Sequence, residues 1–188
     1  MSYKFKQAGK RKLGYEISQV DSFLDLARKQ YENKSATLVN ATDISSTRFE
    51  LVRNGYSIPV VDAAMEKLED VFAAEQYGRD MNLIGYFEFK ENFSNLENLV
   101  QGRLSARRGK RFKKRRWPNR GYSKKQVNVF CSQLAKLLEN KNTISVKELR
   151  TVTFRSKRGG YAEYQVDAFI EKVVELLQRQ QVLEKTGR

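Results

Sequence analysis

The chain contains no histidine and a single cysteine, Cys131. Without imidazole there is no histidine general base and no histidine metal ligand. A Cys–His nucleophile and a Cys/His zinc site are therefore excluded. A lone cysteine cannot close an internal disulfide, and Cys131 is expected as a small buried hydrophobe on a helix. No apolar run approaches the ~20 residues needed to span a bilayer. Residues Met1 to Gly14 are basic but lack the apolar stretch of a signal peptide, so the chain is expected to be cytoplasmic. There is no Walker-type loop, and Gly159-Gly160 is not followed by a phosphate-binding pattern. The expectation is a non-enzymatic protein with no catalytic residue, no metal, no cofactor and no small-molecule substrate.

Acidic residues are also missing where they would matter most. From Asn98 to Leu138 there are thirteen Lys or Arg and no Asp or Glu, against a net charge of +14 for the whole chain. Two nearly neutral parts thus flank a basic one. With 188 residues, 40% of them apolar, the chain can fill one domain or two small ones.

One pattern occurs four times: Gly-Tyr, four residues, Val, then Asp or Asn. The copies are Gly14-Tyr15 with Val20-Asp21, Gly55-Tyr56 with Val61-Asp62, Gly121-Tyr122 with Val127-Asn128, and Gly160-Tyr161 with Val166-Asp167. A helix N-cap placed just after each tyrosine falls at Glu16, Ser57, Ser123 and Ala162. The tyrosine then precedes the cap and the valine is the fourth helical residue, the spacing of a hydrophobic staple. Ser123 with Gln126 reads as a capping box, whereas Glu16 and Ala162 are poorer caps where fraying is expected. Pro59 falls in a first turn, where its missing N–H costs little. Each glycine is expected to permit a sharp turn or a positive φ.

Apolar stripes follow at helical spacing, such as Val127, Phe130, Leu134, Leu137 and Leu138, or Val166, Phe169, Val173, Leu176 and Leu177. They predict helices over about Ile17–Asn33, Ile58–Gln76, Lys124–Asn140 and Glu163–Leu183, with the stripes as core. The recurring Asp21, Asp62 and Asp167 are read as structural, near the positive ends of their helices.

The copies alternate in context. Val39, Ile44 and Phe49 precede the second, and Ile144, Leu149 and Phe154 precede the fourth, at the same steps. Ser145 with Glu148 reads as a capping box opening a short helix, and Asn40 with Asp43 fills the equivalent place. Phe5 and Phe112 stand nine residues ahead of the first and third glycines. The predicted architecture is mainly α: a duplicated unit of turn-plus-helix repeats, with four amphipathic helices, short helices and extended turns. The first pair of repeats occupies residues 1–76 and the second 112–188. Residues 77–111 form a linker, partly ordered through Leu83, Ile84, Tyr86, Phe87, Phe89, Phe93, Leu96 and Leu99. From Gly102 to Arg116 the chain is expected to be basic and mobile.

The string Ile44, Phe49, Gly55-Tyr56, Val61-Asp62, and its counterpart Leu149, Phe154, Gly160-Tyr161, Val166-Asp167, resemble the N-terminal domain of the DivIVA family, bacterial cell-division and cell-pole scaffolds. The paired arrangement resembles the DivIVA-domain repeat proteins of actinobacteria. The resemblance implies a short helix, an extended turn and a longer helix, with repeats pairing inside one chain as the family's helices pair in a parallel coiled coil. Two departures stand out. The helices here are too short for a long filament-forming coiled coil. The family's membrane-touching Phe-Arg pair is replaced by Lys12-Leu13, Arg53-Asn54, Asn119-Arg120 and Arg158-Gly159, of which only Leu13 is a large apolar residue.

Two functional readings follow. The first is a division or polar-growth adaptor, with protein partners or self-association. Here Arg107, Arg108, Lys110, Arg111, Lys113, Lys114, Arg115, Arg116 and Arg120, with Trp117, would meet an anionic partner such as the inner face of a membrane. Each cation near such a surface contributes about 1 kcal/mol. The second is non-specific nucleic-acid binding by residues 103–120, with Phe112 and Trp117 available for stacking.

Overall fold

The computed structural model describes residues 4–9, 11–33, 39–139 and 145–187. It is mainly helical and divides into two compact units, residues 1–79 and 80–188. The first contains β1 (Leu13–Tyr15), α1 (Ile17–Glu32), α2 (Ala41–Ser46) and β2 (Leu51–Arg53). The helix α3 (Ile58–Ile84) begins in it, and the division falls within this helix. The second unit contains α4 (Tyr86–Ser105), β3 (Arg120–Tyr122), α5 (Lys124–Glu139), α6 (Val146–Arg150), β4 (Ser156–Arg158) and α7 (Glu163–Thr186).

The helix starts follow local chemistry. Asn40 and Asp43 exchange side-chain-to-backbone bonds of 2.9 Å in both directions, which opens α2. Ser145 and Glu148 do the same for α6, at 3.0 and 3.1 Å. Each box satisfies two N–H groups that helix geometry leaves over. Ile144 lies outside the described residues.

Two cap expectations are corrected. Glu16 is an effective cap: its Oε2 accepts the N–H of Gln19 at 2.7 Å, because the longer carboxylate folds back over the first turn. The capping box expected at Ser123 and Gln126 is replaced by longer-range bonds. Ser123 donates its N–H to the carbonyl of Arg155 at 2.8 Å, and Gln126 Oε1 accepts the N–H of Arg155 at 2.7 Å. Glu16, Gln19 and Glu50 make the same exchange in the first unit, at 2.9 Å for both bonds. The glutamine one turn in therefore locks its helix to the residue just before a strand, about thirty positions later.

The segment expected as a linker is largely helical. Phe89, Leu96, Val100 and Leu104 lie on one face of α4, at steps of seven and four, and all are buried. Leu96, Val100 and Leu104 join Val127, Cys131 and Leu134 of α5 and Val166, Phe169, Val173 and Val174 of α7 in one core. The first unit has two smaller clusters instead. Val20, Leu24, Tyr56 and Val61 form one, and Ala27, Val39, Ile44 and Phe72 the other. Among the described residues no helix is long and apolar enough to cross a membrane.

Candidate functional site

The four Gly-Tyr pairs come together in twos. In the first unit β1 runs antiparallel to β2, and Tyr15 and Tyr56 exchange backbone bonds of 2.9 and 2.8 Å. In the second, β3 runs antiparallel to β4, and Tyr122 and Tyr161 exchange two bonds of 2.9 Å. The two turns cross so closely that neither glycine has room for a side chain. A Cβ on Gly14 would stand 2.8 Å from the carbonyl carbon of Gly55, and one on Gly55 would stand 2.8 Å from that of Gly14. A Cβ on Gly160 would strike the Gly121 and Tyr122 carbonyl oxygens. This corrects the expected positive φ. Left-handed backbone falls on Asn54 (φ 61°) and Gly159 (φ 62°), each just before a motif glycine. The motif glycines are required by close approach instead.

The recurring acid belongs to the same crossing. The Tyr56 hydroxyl donates to Asp21 at 3.1 Å and the Tyr161 hydroxyl to Asn128 at 3.3 Å. Asp62 and Asp167 act in the same way on the hydroxyls of Tyr15 and Tyr122, holding their protons. Every tyrosine thus interacts with the Asp or Asn of the opposite motif. Burial, reinforced by Asp62, raises the pKa of Tyr15; burial and the charge of Asp167 raise that of Tyr122. Burial and the nearby Glu163 raise the carboxyl of Asp167, while the Tyr122 bond opposes them. Sequence position had suggested a helix-end role for these acids. The partner lies 35 residues away for Asp21 and 33 for Asn128, so helix position alone could not reveal it.

Valines 20, 61, 127 and 166 are all 0% exposed beneath the crossings. Phe5 and Phe112 lie edge-on to Tyr56 and Tyr161, with ring centroids 5.3 and 5.4 Å apart. Cys131 is buried, and burial pushes its thiol pKa up. That suits a packing residue better than a reactive one. Among the described residues no group of three His, Cys, Asp or Glu could hold a metal ion.

The basic segment is not uniformly free. Arg111 is 7% exposed, and its guanidinium donates to the carbonyls of Leu104 (2.7 Å), Ala106 (3.1 Å) and Asn128 (3.2 Å). It neutralises the carbonyl end of α4 and cannot meet an external anion. Phe112 is 4% exposed and packs on Phe169, so it cannot stack on a ligand. Arg107, Arg108, Lys110, Lys113, Lys114, Arg115, Arg116 and Arg120 are exposed, as is Trp117. The segment expected to be mobile is tied down at several points. Arg115 N–H donates to the Gly160 carbonyl at 2.8 Å, and Gly159 N–H to the Asn119 carbonyl at 2.9 Å. These bonds add Lys157 and Arg158 of β4 to the cationic surface, both exposed. Lys157 was not singled out from the sequence, and Arg158 was named only as a replacement in the family's Phe-Arg pair; the signal was their place just before the fourth glycine, in a motif paired with the third.

No family model matches the chain, nor does any curated protein or any solved structure.

Proposed function

We propose that this chain is a non-enzymatic scaffold or adaptor module related to DivIVA. In this reading it is a duplicated unit that serves bacterial cell division or polar growth through protein–protein contacts at an anionic membrane. The observation that carries the reading is the crossing of Gly-Tyr turns in pairs, Tyr15 with Tyr56 and Tyr122 with Tyr161. Repeats partnering inside one chain support this reading, although they partner here through antiparallel strands rather than through the parallel coiled coil of the family. The order of strand, helix, short helix, strand and long helix is the same around both crossings, which supports duplication. The helices α1 and α5, at 16 residues each, are too short to propagate a filament.

The membrane contact falls to the first crossing. Leu13 and Leu51 are 53% and 52% exposed there, and Arg53 is the register partner of Leu13. Apolar side chains flanked by cations suit an anionic bilayer surface. Co-sedimentation of the full chain with anionic and neutral vesicles over a salt series tests this. Binding to anionic vesicles alone, reduced by Leu13→Asn, is the expected result. Absence of binding at low salt would remove the membrane from the proposal.

A further inference from the structure

We infer that the second crossing is a binding face for single-stranded nucleic acid. Arg120 and Arg158 are direct register partners across β3 and β4, so their side chains leave the same face of the two-stranded sheet. Like charges in that position are destabilising, and the exposed Arg120 Nε bond to Ser156 Oγ, at 3.3 Å, offsets little of that. Arg116 and Trp117 are tied to this ribbon by the bonds from Arg115 to Gly160 and from Gly159 to Asn119, while Lys157 and the Arg115 side chain lie on the opposite, Gly121 face. Neither contributing stretch supplies an acid: there is none from Asn98 to Leu138, nor from Leu149 to Ala162. Among the described residues none of these cations is held in an ion pair.

Three features select the ligand. Arginines dominate, and guanidinium matches the paired oxygens of a phosphodiester better than ammonium does. Trp117 is 74% exposed beside them and offers a stacking face for an unpaired base. With Phe112 buried, Trp117 is the one aromatic of the 107–120 segment that a ligand can reach, so there is little to enter a bilayer. The first crossing has Leu13 opposite Arg53, where the second has Arg120 opposite Arg158. The apolar wedge and the phosphate-binding face are thus on different crossings.

The chain has one tryptophan, so its emission reports directly on this face. The full chain is titrated with a fluorescein-labelled oligothymidylate, reading Trp117 quenching and fluorescein anisotropy over a salt series. The expected result is quenching with binding, and a slope of log K against log salt of about −2 for three neutralised phosphates, at Arg116, Arg120 and Arg158. Arg120→Ala with Arg158→Ala should weaken binding at least tenfold and shrink the slope by about 1.4. The same double variant should unfold no earlier than wild type, because it relieves a like-charge pair, and this separates lost binding from lost folding. Trp117→Ala should weaken binding by about tenfold. Four results would overturn the inference: no binding, equal affinity for duplex DNA, full affinity in the variants, or a Trp117 blue shift on phosphatidylglycerol vesicles without a response to oligothymidylate.

Discussion

The two units share a crossing but not a core. Around the first, the buried residues separate into two clusters bridged by the partly buried Met65 and Leu68. Around the second they form one cluster that includes α4. Particular residues explain the contrast. Counting from the paired glycines, Leu134 and Phe169 of the second unit stand where the first has Ala27 and Ala64. Phe169 receives Phe112 edge-on, a contact that an alanine cannot make. The crossing is therefore specified by backbone geometry and a few polar bonds, and it tolerates quite different amounts of core beneath it. The surfaces diverge in the same way, with leucines at one crossing and arginines at the other.

The largest effect should come from breaking a crossing. Gly160→Val forces side-chain atoms into the Gly121 and Tyr122 carbonyls and should cost more than about 4 kcal/mol, enough to unfold the second unit. Gly55→Val should do the same in the first. Gly102→Val, within α4 where a Cβ meets nothing within 4 Å, is the control and should be neutral or slightly stabilising, since valine has the higher helix propensity. Urea denaturation followed by circular dichroism distinguishes these outcomes.

The next effect tests the core contrast. Leu104→Ala should cost about 2–5 kcal/mol, since Leu104 is buried in the core that α4 shares with α5 and α7. Hydrogen exchange should show lost protection in α5 and α7 and none in α1. Equal loss in α1 would mean that the core of the second unit is not its own. Smaller again is Arg111→Met, which leaves three carbonyls at the end of α4 and on α5 without their donor, for about 1–3 kcal/mol.

The smallest effect is a pH dependence. The carboxyl of Asp167 titrates above its ordinary value in the folded chain, mainly because of burial. The folded state then binds its proton more readily than the unfolded state. This term favours folding as pH falls through the folded pKa, and the gain is complete below the unfolded value of 3.8. Asp167→Asn keeps an acceptor for Tyr122, as Asn128 does for Tyr161, and should remove that acid-side gain while leaving stability at pH 7 unchanged or slightly higher. Denaturation midpoints between pH 3 and 7 measure the difference.

Much of this was legible in the sequence. The helix starts at Ile17, Ile58, Lys124 and Glu163, and both short capped helices, follow from local rules of staple and cap that neighbouring residues decide. The end of α3 was not legible: apolar periodicity fades after Gln76, yet the helix runs on to Ile84. The partners of Asp21 and Asn128 were hidden because they are set by which motif crosses which. Arg111 looked like one more cation in a basic run. Only the placement of α4 shows that its charge is spent on backbone carbonyls.

The measurement that tests the crossing most directly is a double-mutant cycle for Tyr56 with Asp21, set beside one for Tyr56 with Asp62, its own motif's acid. Unfolding free energies of Tyr56→Phe, each Asp→Ala and the two double variants supply both cycles. A coupling of about 1 kcal/mol with Asp21 and close to zero with Asp62 is the predicted result. Coupling to Asp62 with none to Asp21 would contradict the crossing, because it would place each tyrosine on its own helix.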